Sequence, residues 1–153
     1  MDAAKTPSRD KTLLIVEDAV LTAVALKDGL EDAGYTVMEL TDHYEAAASA
    51  ARKAKPDMAL VNIKLNGKDD GIVLAREFKA LGIPVLFISG QSEKARAPET
   101  GAWGSLPKPY NAADMVLAVD YLLACQAGDG SLPRPADLEV FESAPTGLLP
   151  DAA

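Results

Sequence analysis

The chain has 153 residues, of which 48% are hydrophobic and 25% charged, with a formal net charge of −8. That length can bury one good core but not two enzyme domains. The acidic balance, without clusters of Lys and Arg, argues against a nucleic-acid groove, because neutralising phosphates requires clustered cations.

Residues 1–11 are polar and lack the apolar centre of a signal peptide, and no run approaches the roughly 20 apolar residues of a membrane span. A single cysteine, Cys125, cannot form an internal disulfide, so the expectation is a cytoplasmic protein with no membrane partner. Cys125 itself reads as a small hydrophobe near the end of a helix.

The first apolar run, Thr12 to Val16, reads as a strand and ends in Glu17-Asp18. Val20, Leu21, Val24, Ala25, Leu26 and Leu30 then recur at helical spacing, with Gly34 as the stop. Tyr35 to Leu40 reads as the second strand. Thr41-Asp42 opens a second helix, with Glu45 three residues after Asp42 as in a capping box, and Pro56 punctuates its end. The third strand, Asp57 to Val61, ends in Asn62.

A polar loop, Lys64 to Gly71, leads into a helix with Ile72, Val73, Leu74, Ala75 and Phe78 on its apolar face. The fourth strand, Ile83 to Ile88, ends in Ser89. Gln91 to Ala97 allow about two turns of helix before Pro98 and Gly101 stop them, so the fourth helix is expected to be short or frayed. A fifth short strand delivers Lys108-Pro109, and the last helix opens at Asn111 as N-cap with Asp114 at its third position. Repeated strand-then-helix order implies an α/β, flavodoxin-like, doubly wound sheet of five parallel strands in the order 2-1-3-4-5, covered on both faces.

Domain boundaries follow composition. Residues 1–10 read as a flexible N-terminus, 11–125 as the domain, and 126–153 as a tail or arm outside it, rich in Gly, Pro, Ala and Ser. The tail also carries Leu138, Val140, Phe141, Leu148 and Leu149. Leu138 to Phe141 are expected to dock, on their own domain or on a second copy, with Gly128 to Ser131 as the joint. Exchange of arms in a homodimer is the favoured form, since ordering costs make docking on the chain's own domain marginal.

In an open parallel sheet, ligand sites form outside the carboxyl ends of the strands. Glu17, Asp18, Asn62, Ser89 and Lys108 all fall there. Each alone is unremarkable, since a Glu-Asp pair is usually a solvated loop and a Lys before Pro a surface residue. Five at four strand ends define a site.

These residues resemble the receiver domain of bacterial two-component response regulators over about Lys11 to Ala124. The resemblance rests on Leu13 to Asp18, on Pro56-Asp57 through Asn62 to Asp70-Gly71, on Pro84 through Ser89-Gly90, and on Lys108-Pro109. Asp18 and position 62 lie 44 residues apart, as the family's metal-binding acid and phosphoacceptor do. The resemblance implies a Mg²⁺ site made by Asp18, with Glu17 nearby, the side chain at Asn62 and the backbone carbonyl of Lys64. It also implies that Ser89 and Lys108 contact the phosphoryl oxygens, and that the Lys108–Pro109 peptide is cis. The implied partner is a sensor histidine kinase or a phosphotransfer protein. No DNA-binding or catalytic module follows in the sequence, so the resemblance is to single-domain regulators that act through protein contacts and are not themselves enzymes.

Asn62 breaks that scheme at its centre. A carboxamide is neutral and weakly nucleophilic and cannot form an acyl phosphate, so phosphorylation at 62 is expected to be blocked and Mg²⁺ binding weakened. Two origins stay open: a natural pseudo-receiver that works without phosphate, or a substitution made to hold an ordinary receiver unphosphorylated. Retention of Glu17, Asp18, Ser89 and Lys108 leans toward the second.

Ser105 departs too, since the family usually carries a switch aromatic there; Trp103 and Tyr110 nearby read as packed aromatics. His43 is assigned no function. A flavodoxin-like small-molecule binder is the alternative of another class, but Glu17-Asp18 would repel the phosphate it must cradle. A metal-dependent phosphohydrolase would need the acidic nucleophile that Asn62 denies.

Overall fold

A computed structural model of the chain describes residues 9–89, 100–108 and 110–145, with Ser89 described by its backbone alone. The expected short helix at Gln91 to Ala97, the Lys108–Pro109 peptide, the Ser89 side chain and Leu148-Leu149 lie outside the described residues.

The apolar runs become strands because each alternates its side chains between two covered faces. The elements in chain order are β1 (Thr12–Val16), α1 (Val20–Ala33), β2 (Thr36–Val37), α2 (Tyr44–Lys53), β3 (Met58–Asn62), α3 (Asp70–Ala80), β4 (Val85–Ser89), β5 (Gly104–Pro107), α4 (Ala112–Gln126) and β6 (Glu139–Val140). Strands β1 to β5 are parallel in the expected order 2-1-3-4-5.

On one face Leu14, Val16, Ala59, Val61, Val85 and Phe87 pack with the alanines of α2 and with Leu74, Ala75 and Phe78 of α3. On the other, Leu13, Ile15, Met58, Leu60, Leu86 and Ile88 meet α1 and α4. Cys125 is a buried free thiol in α4.

Two helix ends form as the residues dictate. Gly34 adopts φ +117° at the end of α1, a conformation only glycine enters cheaply. Asn111 Oδ1 accepts the Asp114 N–H at 2.8 Å while Asp114 Oδ2 accepts the Asn111 N–H at 3.1 Å, completing a reciprocal cap on α4.

The expected cap on α2 does not form. His43 is the N-cap residue, with no side-chain cap bond, because the Asp42 carboxylate lies 2.7 Å from the His43 ring instead. The second strand is also shorter than Tyr35 to Leu40, with only Thr36 and Val37 in the ladder and Thr41 bridging to Val16.

Beyond Gln126 the chain returns to its own sheet. β6 pairs antiparallel with β5, Gly104 opposite Val140 and Ser105 opposite Glu139, so the parallel sheet gains a sixth, antiparallel strand. Leu138 is buried in the α1/α4 core and Phe141 in the α2/α3 core, so the arm straddles the sheet edge. A Cβ on Gly104 would stand 2.4 Å from the Glu139 carbonyl oxygen, so the pairing requires glycine. Of the two seats expected for the arm, its own domain is the one the structure shows.

The start of the chain is anchored as well. Arg9, within the stretch expected to be flexible, reaches the buried Asp120 of α4 through two nitrogens, at 2.8 and 3.2 Å.

Candidate functional site

The site forms where β1 and β3 end side by side. Val16 is in register with Val61, so the residues that follow them, Glu17-Asp18 and Asn62, emerge together at the same rim. The loop after β3 is held close by α3: Gly71 N–H donates to the Ile63 carbonyl at 3.0 Å, and a Cβ on Gly71 would lie 2.2 Å from the Asn62 carbonyl oxygen. Any side chain at 71 would push α3 away from the site.

Glu17 is 2% exposed and Asn62 6%. The Asn62 Nδ2 group donates to Glu17 Oε2 at 2.9 Å and to Asp18 Oδ1 at 3.2 Å. Glu17 Oε2 also accepts the Ala19 N–H at 3.0 Å, and Asp18 Oδ2 accepts the Asn66 N–H at 2.9 Å. Glu17 Oε1 is buried without a hydrogen-bond partner among the described residues, and Lys108 Nζ stands 3.9 Å from it. The amide orientation follows from the network, since turning it would set a carbonyl oxygen against two carboxylates.

The two acids are held differently. Burial lifts the Glu17 carboxyl above the usual range, against the opposing pull of the Ala19 N–H and the Lys108 charge. Burial acts on Asp18 in the same sense, but the Asn66 N–H and the remaining hydrogen bonds outweigh it and hold that carboxyl below the usual range.

Glu17, Asp18, Asn62 and Lys108 are thus brought together as the sequence expects. Lys64 lies on the adjoining loop with its ammonium 3.5 Å from Asp69. Ser105 is buried at 6% exposure opposite Phe87 on β4. Trp103 and Tyr110 pack, partly buried, against the α1/α4 core.

The residue missed by sequence reasoning is Asn66, whose N–H orients Asp18. It sits at φ +54°, followed by Gly67 at φ +81°, in a tight turn closed between Leu65 and Lys68. An Asn-Gly pair is the usual sequence mark of such a turn, so the signal was present in the polar loop.

As oriented, these donors do not fit a divalent cation. Mg²⁺ takes oxygen ligands, whereas the group Asn62 aims between the two carboxylates is N–H₂, whose hydrogens repel positive charge. No group of three or more His, Cys, Asp or Glu is placed to hold a metal among the described residues.

Comparison with known proteins agrees with the topology. Residues 13–120 match the response regulator receiver domain. The chain is 30% identical over 135 residues to the transcriptional activator protein IrlR of Burkholderia pseudomallei, covering 84% of this chain but only 57% of that relative. Among solved structures, the signal receiver domain of a modulated diguanylate cyclase from Desulfovibrio desulfuricans aligns with TM-score 0.66 and 34% identity, covering 74% of this chain and 92% of that one. A response regulator from Burkholderia pseudomallei, solved with a phosphorylated aspartic acid, calcium ion and citrate, aligns with TM-score 0.66 and 27% identity, covering 77% of this chain and 72% of that one. The chain belongs to the response regulator receiver family. Receiver domains typically bind Mg²⁺ and interact with histidine kinases or phosphotransfer proteins. No helix among the described residues is long and apolar enough to cross a membrane.

Proposed function

We propose that this receiver works as a protein-contact module, without enzymatic activity of its own, that takes up no phosphoryl group at position 62. One observation carries the reading: the side chain at the strand end where the family's acceptor belongs is a carboxamide whose nitrogen already donates to both neighbouring acids. Nucleophilic attack on phosphorus needs an oxygen with electron density to give. The Asn62 amide has its lone pair delocalised and its N–H₂ turned toward the acids.

Partner recognition then rests on surface rather than on a phosphoryl switch, and a kinase or phosphotransfer protein remains the partner class. The arm seated on its own sheet supports a monomer. Sedimentation is expected to give monomer masses both for the full chain and for a version ending at Gln126.

The direct test is intact mass after incubation with acetyl phosphate and Mg²⁺. The chain is expected to stay unmodified while Asn62→Asp gains a phosphoryl group. Uptake at residue 62 by the unaltered chain overturns the proposal. Failure of Asn62→Asp to react would favour a pseudo-receiver whose whole pocket has left phosphate chemistry.

A further inference from the structure

We infer that the Asn62 carboxamide is a built-in replacement for the divalent cation: the acidic rim is held together by the chain's own N–H₂ group and needs no metal. The inference rests on the receiver reading, because receiver domains typically bind Mg²⁺.

The geometry is a bridge. Glu17 and Asp18 are adjacent in sequence and their carboxylates converge, which without a positive partner is repulsive. Both hydrogens of the Asn62 N–H₂ group are used, one on each carboxylate, at 2.9 and 3.2 Å. Bonds from N–H to an ionised acceptor are the stronger kind. Backbone N–H groups of Ala19 and Asn66 complete the set, so three of the four carboxylate oxygens accept a hydrogen bond. The fourth, Glu17 Oε1, is more than nine-tenths buried and lacks a hydrogen bond among the described residues, with the Lys108 ammonium 3.9 Å away. Polarised hydrogens and the Lys108 charge thus face the two acids.

A cation entering this rim must first turn the amide. That breaks both Asn62 bonds and offers a neutral oxygen in return, where a carboxylate would offer a charge. An aspartate at 62 reverses the balance: three carboxylates would face one another with no donor among them, and a cation would be their only common partner. One atom at the end of residue 62, nitrogen or oxygen, therefore decides whether the two acids share a donor from the chain itself or a cation.

Thermal unfolding of the full chain and of Asn62→Asp and Asn62→Ala, each in chelator and in millimolar Mg²⁺, tests this. The unaltered chain is expected to melt at the same temperature in both, within about 1 °C, because a ligand that does not bind the native state adds no stability. Asn62→Asp is expected to melt lower in chelator and to rise by roughly 5–10 °C with Mg²⁺ at about 100 times its Kd. If Asn62→Asp does not fold in chelator, Asn62→Ala carries the test: it should melt below the unaltered chain in chelator and recover part of the loss with Mg²⁺.

A rise in the unaltered chain equal to that of Asn62→Asp overturns the inference. So does an Asn62→Ala that melts no lower than its parent. The proposed function fails separately, if the unaltered chain takes up a phosphoryl group at residue 62 from acetyl phosphate.

Discussion

Glu17 and Asp120 are both carboxylates removed from water, at 2% and 3% exposure, and they sit at opposite rims of one sheet. Asp120, on α4 near the strand starts, is fully provided for: Arg9 grips it with two nitrogens, and the Tyr35 hydroxyl donates to Oδ1 at 2.6 Å. Glu17, where the strands end, keeps one oxygen without a hydrogen bond among the described residues. A charge whose partners are complete ties distant segments together, here the N-terminus, the start of β2 and α4. A charge whose partners are incomplete costs stability instead.

The sharpest way to break this contrast is Asp120→Ala, which leaves the Arg9 guanidinium and the Tyr35 hydroxyl without their acceptor. A loss of about 3–5 kcal/mol in urea unfolding is expected, as for other broken buried pairs. A loss under about 1 kcal/mol would mean that water replaces the carboxylate and that the two acids are not different in kind.

Tyr35→Phe removes one donor and keeps the ion pair, so the loss should be smaller, about 1.5–2 kcal/mol by the same measurement. The same change silences the phenol whose ionisation burial and the Asp120 charge already suppress.

At the other rim the sign reverses. Glu17 has a raised pKa, so its contribution to stability is fully present below the ordinary carboxylate value of about 4.3 and is lost as the pH rises through the raised one. Glu17→Gln abolishes that loss. The variant should be modestly more stable than its parent at about pH 7.5, with the difference shrinking toward about pH 4, as followed by melting temperature. A variant less stable at every pH would show that the Glu17 charge is needed where it lies.

The smallest effect is expected for Lys108→Met. Its side chain is 38% exposed and its ammonium stands 3.9 Å from the acid, so unfolding free energy should change by less than about 1 kcal/mol. A larger loss would make Lys108 a full partner and bring the two rims closer in character.

How much of this could be read from residues alone follows from how local each signal is. The strand ends were legible because four apolar runs stop at polar residues, and the Asn111–Asp114 cap because its members are three apart. The Arg9–Tyr35–Asp120 cluster was not, since its bonds join residues 85 and 111 positions apart and no periodicity records such a pairing. At the site, Glu17, Asp18 and Asn62 were identified by position, but that the amide nitrogen faces the acids depends on which oxygens lie within reach.

The arm was half legible. Leu138, Val140 and Phe141 announced apolar contact, while the free edge of β5 that receives them is visible only in three dimensions. The capping box expected on α2 failed for a local reason, the Asp42 carboxylate being taken by His43.

The strand that arm provides also decides how the sheet meets other chains in a crowded solution. An unpaired strand edge is a template on which further strands can grow into aggregates, and β5 would offer four residues of it. With β6 in place, the sheet is finished on both sides by strands of two residues each, β2 and β6. Pro133 and Pro135 precede β6 and Pro145 follows it, and a residue without an N–H cannot extend a ladder. The prolines on either side of β6 therefore limit how far its ladder could lengthen, and the two-residue strand leaves a neighbouring chain a short template to build on.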